Sequence, residues 1–290
     1  MKKKSGNKSI MNLFYVPALL LFIVFVVFPL CKGVFLSFTN WNGYSQKYSM
    51  VGISNYTRLF TDPNVLTAFI NTIVYGFGST LLQNVFGLLI ALLLNHKFRG
   101  RALCRTFVYL PVMIAPLIMG YIMYFFVTFN GGAINDITAL FGAAPVDWMG
   151  DGARATIIIT LINSFQFVGV SMVIYLAGLQ NIPAMYYEAA AIDGVGPLQK
   201  LRYITLPMLM PAITSAVMIN LIGGLKLFDL IMALVGSNYS TNSLSTLVHR
   251  TYFGSENAGY ASAIGLMAFV FIMIVSFIFN RMFEKKEVEA

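Results

Sequence analysis

The chain has 290 residues, of which 58% are hydrophobic and 10% are charged, and its formal net charge is +8. A soluble domain carries about 25% charged residues and could not bury this much apolar surface, whereas a lipid bilayer accommodates it. The positive charge does not indicate nucleic-acid binding, because most Lys and Arg residues flank apolar runs. Neither the two cysteines nor the isolated His96 and His249 have the spacing of a metal site.

Six apolar runs each supply roughly the 20 residues that a helix needs to cross a bilayer. In chain order they are residues 13–36, 67–94, 104–129, 155–178, 206–235 and 261–282. The second and fifth runs are long enough to tilt or to continue beyond the membrane. Because lipid offers no partner for free backbone groups, we predict that all six runs are α-helices.

Basic residues are concentrated on one side of these runs. If the N-terminus is inside the cell, the cytoplasmic segments hold most of the Lys and Arg residues, in clusters at 2–8, 97–105, 200–202 and 281–286. The positive-inside rule therefore predicts an all-α integral membrane protein with six transmembrane helices and both termini in the cytoplasm. The expected organisation is an N-terminal tail, first helix and outer loop at 1–66, a domain of five helices at 67–283 and a cytoplasmic tail at 284–290.

The segment 181–207, between the fourth and fifth runs, has the pattern of a short helix that lies outside the bilayer. Pro183 stands where a helix can begin, and the alanines at 189–191 favour helix formation. Gly194 then supplies a C-terminal break, and Pro207 marks the start of the fifth run. We expect this short helix to be exposed at the cytoplasmic face.

The residue spacing in this segment resembles a family signature. Glu188-Ala189-Ala190 is followed after three residues by Gly194, after nine more by Ile204, and after one more by Leu206-Pro207. This pattern resembles the EAA signature of binding-protein-dependent ABC importer permeases, in which the segment is a cytoplasmic helix that docks on the ATP-binding subunit. The residues that the resemblance assigns to coupling with an ATPase are Tyr187, Glu188, Ala189, Ala190, Asp193, Gly194, Ile204, Leu206 and Pro207.

Other short segments are similar to the carbohydrate branch of this family, and most similar to the first of its two permeases, the maltose- and glycerol-phosphate-importer type. They are Ser37-Phe38-Thr39 and residues 51–56, 91–95, 99–101, 110–111 and 176–180. One departure lies at the expected outer mouth. Many relatives carry a Gly-Gly-Pro loop there, whereas residues 236–240 of this chain read Gly-Ser-Asn-Tyr-Ser.

The resemblance implies a permease with the type I ABC importer fold, in the cytoplasmic membrane of a prokaryote. The expected partners are a second, homologous permease, two cytoplasmic ATP-binding subunits and an extracytoplasmic solute-binding protein, and the expected substrate is a sugar. The sequence contains no G-x-x-x-x-G-K-[ST] phosphate-binding loop and no nucleophile–base arrangement. We therefore expect no cofactor, no metal and no catalytic residue, so that the energy for transport comes from a partner.

The fifth run contains Lys226 and Asp229, which a continuous helix would place on one face. Ionisable groups inside a membrane form a mutual ion pair or mark a pathway, and both interpretations stay open here. Asn163 and Gln166 in the fourth run are candidates for hydrogen bonds to sugar hydroxyls in the same path. Equally, such residues join one membrane helix to another.

Three other functions are compatible with parts of this pattern. An importer of the same family for an amino acid, a peptide or an oxyanion would share the coupling signature. An oxyanion path should concentrate positive charge, whereas the proximity of Lys226 and Asp229 favours a neutral solute. An ion-coupled secondary transporter or a membrane scaffold would need no cytoplasmic docking segment.

Overall fold

The computed structural model describes residues 15–236 and 238–284. In chain order the helices are α1 (Tyr15–Leu36), α2 (Ser54–Thr61), α3 (Pro63–Asn95), α4 (Arg101–Met113), α5 (Pro116–Val127), α6 (Ala133–Ala139), α7 (Gly152–Gln180), α8 (Ala184–Ile192), α9 (Pro197–Met208), α10 (Met210–Leu225), α11 (Asp229–Val235), α12 (Leu244–His249) and α13 (Ala258–Glu284). The described residues contain no β-strand, only an antiparallel bridge between Thr39 and Met50. The all-α prediction is confirmed, and most of the two predicted tails lies outside the described residues.

Four helices, α1, α3, α7 and α13, are each long and apolar enough to cross a membrane. Two further candidates are bent pairs of helices: α4 and α5 meet at 99°, and α9 and α10 meet at 70°. If each bent pair is counted as one crossing, length and composition allow up to six crossings, which is the number that the sequence predicts.

The prediction of one continuous helix at 104–129 is wrong, because the chain bends between α4 and α5. Ile114 and Ala115 have extended backbone conformations, with ψ angles of 130° and 137°. Pro116 then begins α5. It has no N–H to donate to the preceding turn, and its ring disfavours helical angles at Ala115.

The prediction of one helix at 206–235 is also wrong. The chain leaves helical geometry after Leu225 and resumes it at Asp229, so α10 and α11 are separate helices. An earlier interruption at Leu209 separates α9 from α10, just before Pro211. The apolar pattern does not reveal either interruption, because buried and lipid-facing residues are apolar on both sides of each break.

The larger of two compact units comprises Pro63–Leu247 and Ala268–Ala290 and is called here the main unit. Within it α7 packs along α3 and against α10, and α10 also contacts α3. Gly224 of α10 permits the last contact, since a Cβ atom added there would lie 2.8 Å from both the Ser79 Oγ and the Tyr75 carbonyl oxygen of α3. Small residues at such crossings let membrane helices approach closely.

Two apolar clusters occupy the two halves of α7. The cluster at its N-terminal half connects α7 with α5 and α11, and consists of Tyr75, Met119, Val127, Ile159, Ile162, Leu227, Leu230, Ile231 and Leu234. The cluster at its C-terminal half consists of Ala91, Leu94, Met172, Tyr175, Leu176, Leu179, Ile182, Leu209 and Ala216. The segment of α7 between them carries Asn163 and Gln166, so a polar layer separates the two apolar clusters.

The smaller unit comprises Met1–Asp62 and Val248–Met267. The Arg58 and Asp62 side chains form an ion pair of 3.9 Å at the end of α2, and the Tyr260 hydroxyl donates a 3.1 Å hydrogen bond to Asp62. The Arg58 guanidinium also lies 4.0 Å from the centre of the Tyr260 ring, which adds a cation–π contact. In contrast, the most apolar part of α1 contains no buried residue, which suits a helix that contacts lipid or another subunit.

Candidate functional site

Lys226 and Asp229 flank a break in the helical backbone of the main unit. Lys226 follows the last residue of α10, and Asp229 is the first residue of α11. Between them Phe228 has the non-helical angles φ −137° and ψ −65°. The expected continuous helix with both charges on one face is therefore absent.

Each charge is stabilised by a helix end rather than by the other charge. Lys226 lies at the C-terminal end of α10, where the helix dipole is negative, and Asp229 lies in the first turn of α11, where it is positive. A charge at the matching helix end gains about 0.3–1 kcal/mol. Within the described residues these two side chains form no ion pair, so the interpretation as a mutual ion pair is wrong.

Lys226, Asp229 and Asn163 line one cavity of about 280 Å³, called here the central cavity. Phe167 and Phe228 contribute aromatic surface to the same cavity. The structure therefore brings together three of the four predicted path residues, with an ammonium, a carboxylate and an amide beside aromatic rings. An arrangement of this kind can donate hydrogen bonds to a bound molecule, accept hydrogen bonds from it and pack against its apolar face.

The polar side chains around the central cavity differ in whether they already form hydrogen bonds within the protein. Gln83 is buried and donates a 3.0 Å hydrogen bond to the Asn163 carbonyl oxygen, and Asn220 donates a 2.5 Å bond to the Ser171 Oγ. The Asn163 side-chain amide makes no hydrogen bond with the described residues, although only 3% of Asn163 is exposed. Because Asn163 lines the cavity, its amide without a protein partner can bind a polar molecule there.

The structure does not place Gln166 at the central cavity. This residue is fully buried, and its Nε2 donates a 2.9 Å hydrogen bond to the Ile114 carbonyl oxygen. That carbonyl lies at the bend before Pro116, where no N–H of a regular helix is available to it. Gln166 therefore joins α7 to the bend.

Gly194 ends α8 and determines the direction in which the chain leaves this helix. Its φ of +68° is in the left-handed region, where glycine carries no Cβ penalty. The Gly194 N–H bonds to the Ala191 carbonyl at 3.2 Å, and the Val195 N–H bonds to the Ala190 carbonyl at 2.9 Å. These two bonds form a Schellman motif, which satisfies the last carbonyls of the helix and turns the chain sharply.

The predicted coupling residues divide between two faces of the segment. Glu188, Ala189, Asp193 and Gly194 are exposed, whereas Ala190 is buried. The others, which are partly buried, are Tyr187, Ile204, Leu206 and Pro207.

Two contacts that the sequence did not predict complete this segment. The Tyr187 hydroxyl lies 3.1 Å from the Thr205 Oγ1, so a hydrogen bond ties α8 to α9. The Tyr187 ring also packs against the second apolar cluster. Exposed Met185 and Ile192 give the outward face of α8 an apolar character. An exposed apolar face rimmed by Glu188 is typical of a surface that another protein covers.

Sequence reasoning missed the loop between α11 and α12. Its residues Thr241, Asn242 and Ser243 are fully buried. Asn71 of α3 donates hydrogen bonds to the Ser240 and Asn242 carbonyls, at 2.8 and 3.1 Å. The run of small polar residues at 240–246 was the available signal, but such runs normally indicate exposed turns.

The chain matches one protein-family model and many similar proteins. The model for the binding-protein-dependent transport system inner membrane component matches residues 83–288. The multiple sugar-binding transport system permease protein MsmF of Streptococcus mutans is 36% identical, with 95% of each chain covered. The arabinooligosaccharides transport system permease protein AraP of Bacillus subtilis is 32% identical, with coverage of 94% of this chain and 88% of the relative.

Solved structures show the same fold. A chain of the bacterial ABC transporter involved in the import of the acidic polysaccharide alginate superposes with a TM-score of 0.81 and 24% identity, and the match covers 95% of each chain. The fold of this chain is thus that of an ABC importer permease. The chain belongs to the family of binding-protein-dependent transport system inner membrane components, which are the integral membrane permeases of ABC importers.

Proposed function

We propose that this chain forms half of the translocation pathway of an ATP-driven sugar importer. The observation that carries the proposal is the central cavity, in which Asn163, Lys226 and Asp229 meet beside Phe167 and Phe228. Sugar hydroxyls both donate and accept hydrogen bonds, and the C–H faces of sugar rings pack on aromatic side chains. A site with one positive and one negative group has no net charge and therefore suits a neutral polyhydroxyl molecule.

The names of similar proteins support a sugar as the substrate. They include the permeases MsmF and AraP, and the trehalose/maltose transport system permease protein MalF of Thermococcus litoralis, which is 29% identical over 280 residues. These names refer to several different oligosaccharides. We therefore propose the oligosaccharide class rather than one sugar.

Coupling to ATP hydrolysis is assigned to α8. Its exposed Glu188, Met185 and Ile192 form the surface that an ATP-binding subunit would cover. The Schellman motif at Gly194 and the bond between Tyr187 and Thr205 fix this surface relative to α9. A displacement of α8 is therefore transmitted through α9 towards α10. A nucleotide-dependent partner shifts the permease between conformations only through such a differential contact.

The proposed assembly contains this chain, a second homologous permease, two cytoplasmic ATP-binding subunits and an extracytoplasmic solute-binding protein. A permease of the same fold has been solved with an alginate pentasaccharide-bound periplasmic protein, which supports the last partner. We place the assembly in the cytoplasmic membrane of a prokaryote, with six crossings and both termini inside.

The orientation is tested by labelling single-cysteine variants with a membrane-impermeant thiol reagent. Cys31 and Cys104 are both exposed in the isolated chain. Reagent added to spheroplasts should modify Cys31 and should reach Cys104 only after lysis. Ser45→Cys and Ser5→Cys serve as outer and inner controls, and outside labelling of Ser5→Cys would reverse the orientation.

Transport itself is tested in proteoliposomes that contain the complete importer. Labelled maltotriose, raffinose, arginine and phosphate are offered with and without internal ATP, and we expect ATP-dependent uptake of a sugar alone. Glu188→Lys should abolish uptake, whereas Asn181→Lys, which introduces the same side chain at an exposed position outside α8, should not. Uptake of arginine or phosphate, or uptake without ATP, would contradict the proposal.

A further inference from the structure

A cluster of basic residues lies at the start of α4, in a part of the chain that contains no acid. Lys97, Arg99, Arg101 and Arg105 occur within nine positions, and the sequence has no Asp or Glu between Asp62 and Asp136. Like charges at such short separations repel one another, and a bound anion would relieve that repulsion.

Three of these four basic residues line a shallow cavity of the main unit, called here the basic cavity. Its charged lining residues are Lys97, Arg101 and Arg105, and its volume is about 930 Å³. Asn95 at the end of α3 and Gln180 at the end of α7 complete the polar part of the lining. Among the residues that the structure describes, no acidic side chain lines the basic cavity.

Arg101 and Arg105 are separated by one helical turn and share a face of α4. The Nε atoms of both are buried and have no hydrogen-bond partner among the described residues. Within the described part of the chain, the one side-chain hydrogen bond of this pair is long, at 3.4 Å from the Arg105 Nη2 to the Leu94 carbonyl oxygen. The two guanidinium groups therefore retain donors for a further acceptor, and an anion between them would remove their repulsion.

The backbone at this place also favours an anion. Gly100 precedes α4 with a φ of +91° and has no side chain to cap the helix. The N–H groups of the first helical turn, including those of Ala102 and Leu103, cannot bond within the helix. Together with the positive end of the helix dipole they form a suitable environment for a phosphate group.

Apolar residues beside the basic cavity identify the kind of anion. Phe98 and Leu103 line it, and Phe107 follows one turn after Leu103; all three are exposed in the chain. We propose that the basic cavity binds the phosphate headgroup of an anionic phospholipid, with the acyl chains against Leu103 and Phe107. An acidic protein surface would leave these apolar side chains without a matching partner, whereas a lipid offers phosphate and hydrocarbon in one molecule.

The proposal is tested by native mass spectrometry of the intact importer complex titrated with phosphatidylglycerol or phosphatidylcholine. The wild type should bind phosphatidylglycerol more tightly than phosphatidylcholine. Arg101→Gln combined with Arg105→Gln should weaken phosphatidylglycerol binding about 30-fold, since each basic residue near an anionic headgroup contributes about fivefold. Lys200→Gln combined with Arg202→Gln removes the same charge outside the basic cavity and should leave this binding unchanged.

Three results would overturn the proposal. The first is equal phosphatidylglycerol binding by the wild type and the Arg101→Gln, Arg105→Gln variant. The second is displacement of the lipid by millimolar inorganic phosphate, which would show that the ligand is free phosphate. The third is loss of the ATP-binding subunit with unchanged lipid binding, which would show that the cluster contacts protein. If the double variant does not fold, Lys97→Gln alone, outside α4, should still weaken binding about fivefold.

Discussion

The Ser243 Oγ donates a 2.7 Å hydrogen bond to the carbonyl oxygen of Leu227, the residue next to Lys226 in the break between α10 and α11. The same Oγ accepts a 3.2 Å bond from the Thr246 N–H at the start of α12. A buried loop residue thus holds the interrupted backbone that presents Lys226 and Asp229 to the central cavity. Irregular backbone at membrane depth is tolerated where other parts of the protein satisfy its polar groups in this way.

We expect Ser243→Ala to lower the free energy of unfolding by about 1–2 kcal/mol, because the Leu227 carbonyl loses its buried donor. Ser245→Ala is the matched control, since the Ser245 hydroxyl makes no hydrogen bond with the described residues. Thermal unfolding of the detergent-purified complex measures both. Equal melting temperatures for the two variants would show that the bond at Leu227 does not support the break.

Gly194→Ala should weaken attachment of the ATP-binding subunit, because a left-handed backbone costs a residue with a Cβ about 1–2 kcal/mol. The reason is conformational rather than steric, since nothing lies within 4 Å of a Cβ added at Gly194. Gly194→Asn should retain attachment better, because asparagine tolerates this conformation. Gly196→Ala is the control, as Gly196 has a φ of −71°. Co-purification measures attachment, and equal loss in the Ala and Asn variants would contradict the conformational explanation.

A double-mutant cycle on Lys226→Met and Asp229→Asn should give a coupling energy close to zero, within about 0.5 kcal/mol. Each charge is stabilised by its own helix end, so each single variant should lose stability independently. Melting temperatures of the two single variants and the double variant provide the measurement. A coupling energy above about 1 kcal/mol would mean that the two side chains pair after all.

Asn163→Ala and Gln166→Leu should affect different properties. Asn163 lines the central cavity with an unbonded amide, so its removal should raise the KM for sugar uptake about fivefold through the loss of one hydrogen bond. Gln166→Leu leaves the Ile114 carbonyl without its donor, so it should lower thermal stability with little change in KM. A raised KM with unchanged stability in Gln166→Leu would place Gln166 in the path.

Much of the fold was predictable because apolar run length and basic flanks report directly on membrane insertion. The same pattern could not show that 104–129 bends, although Pro116 was a visible signal, since proline can also continue a kinked membrane helix. The end of α8 at Gly194 was predictable because glycine has a specific backbone role there.

The candidate site was predictable only in part. Residue spacing suggested that Lys226 and Asp229 share a face, but spacing has this meaning only within a continuous helix, and the break removes it. Gln166 has the side-chain chemistry of a substrate-binding residue. Its actual partner, the Ile114 carbonyl oxygen, is available to it only because a bend elsewhere in the chain interrupts the helix there. Such partners arise from tertiary structure, which local pattern does not contain.

The buried loop at 240–246 has a consequence for biogenesis. Its partners Asn71, Thr72 and Tyr75 lie 166 to 172 residues earlier in the chain. During synthesis, α3 should therefore already have entered the membrane when the loop leaves the ribosome. Until the loop reaches these side chains, its carbonyl groups can remain only in water, because hydrocarbon offers them no donor. We therefore expect closure of this segment to be a late, post-insertional step, after which the central cavity acquires its final shape.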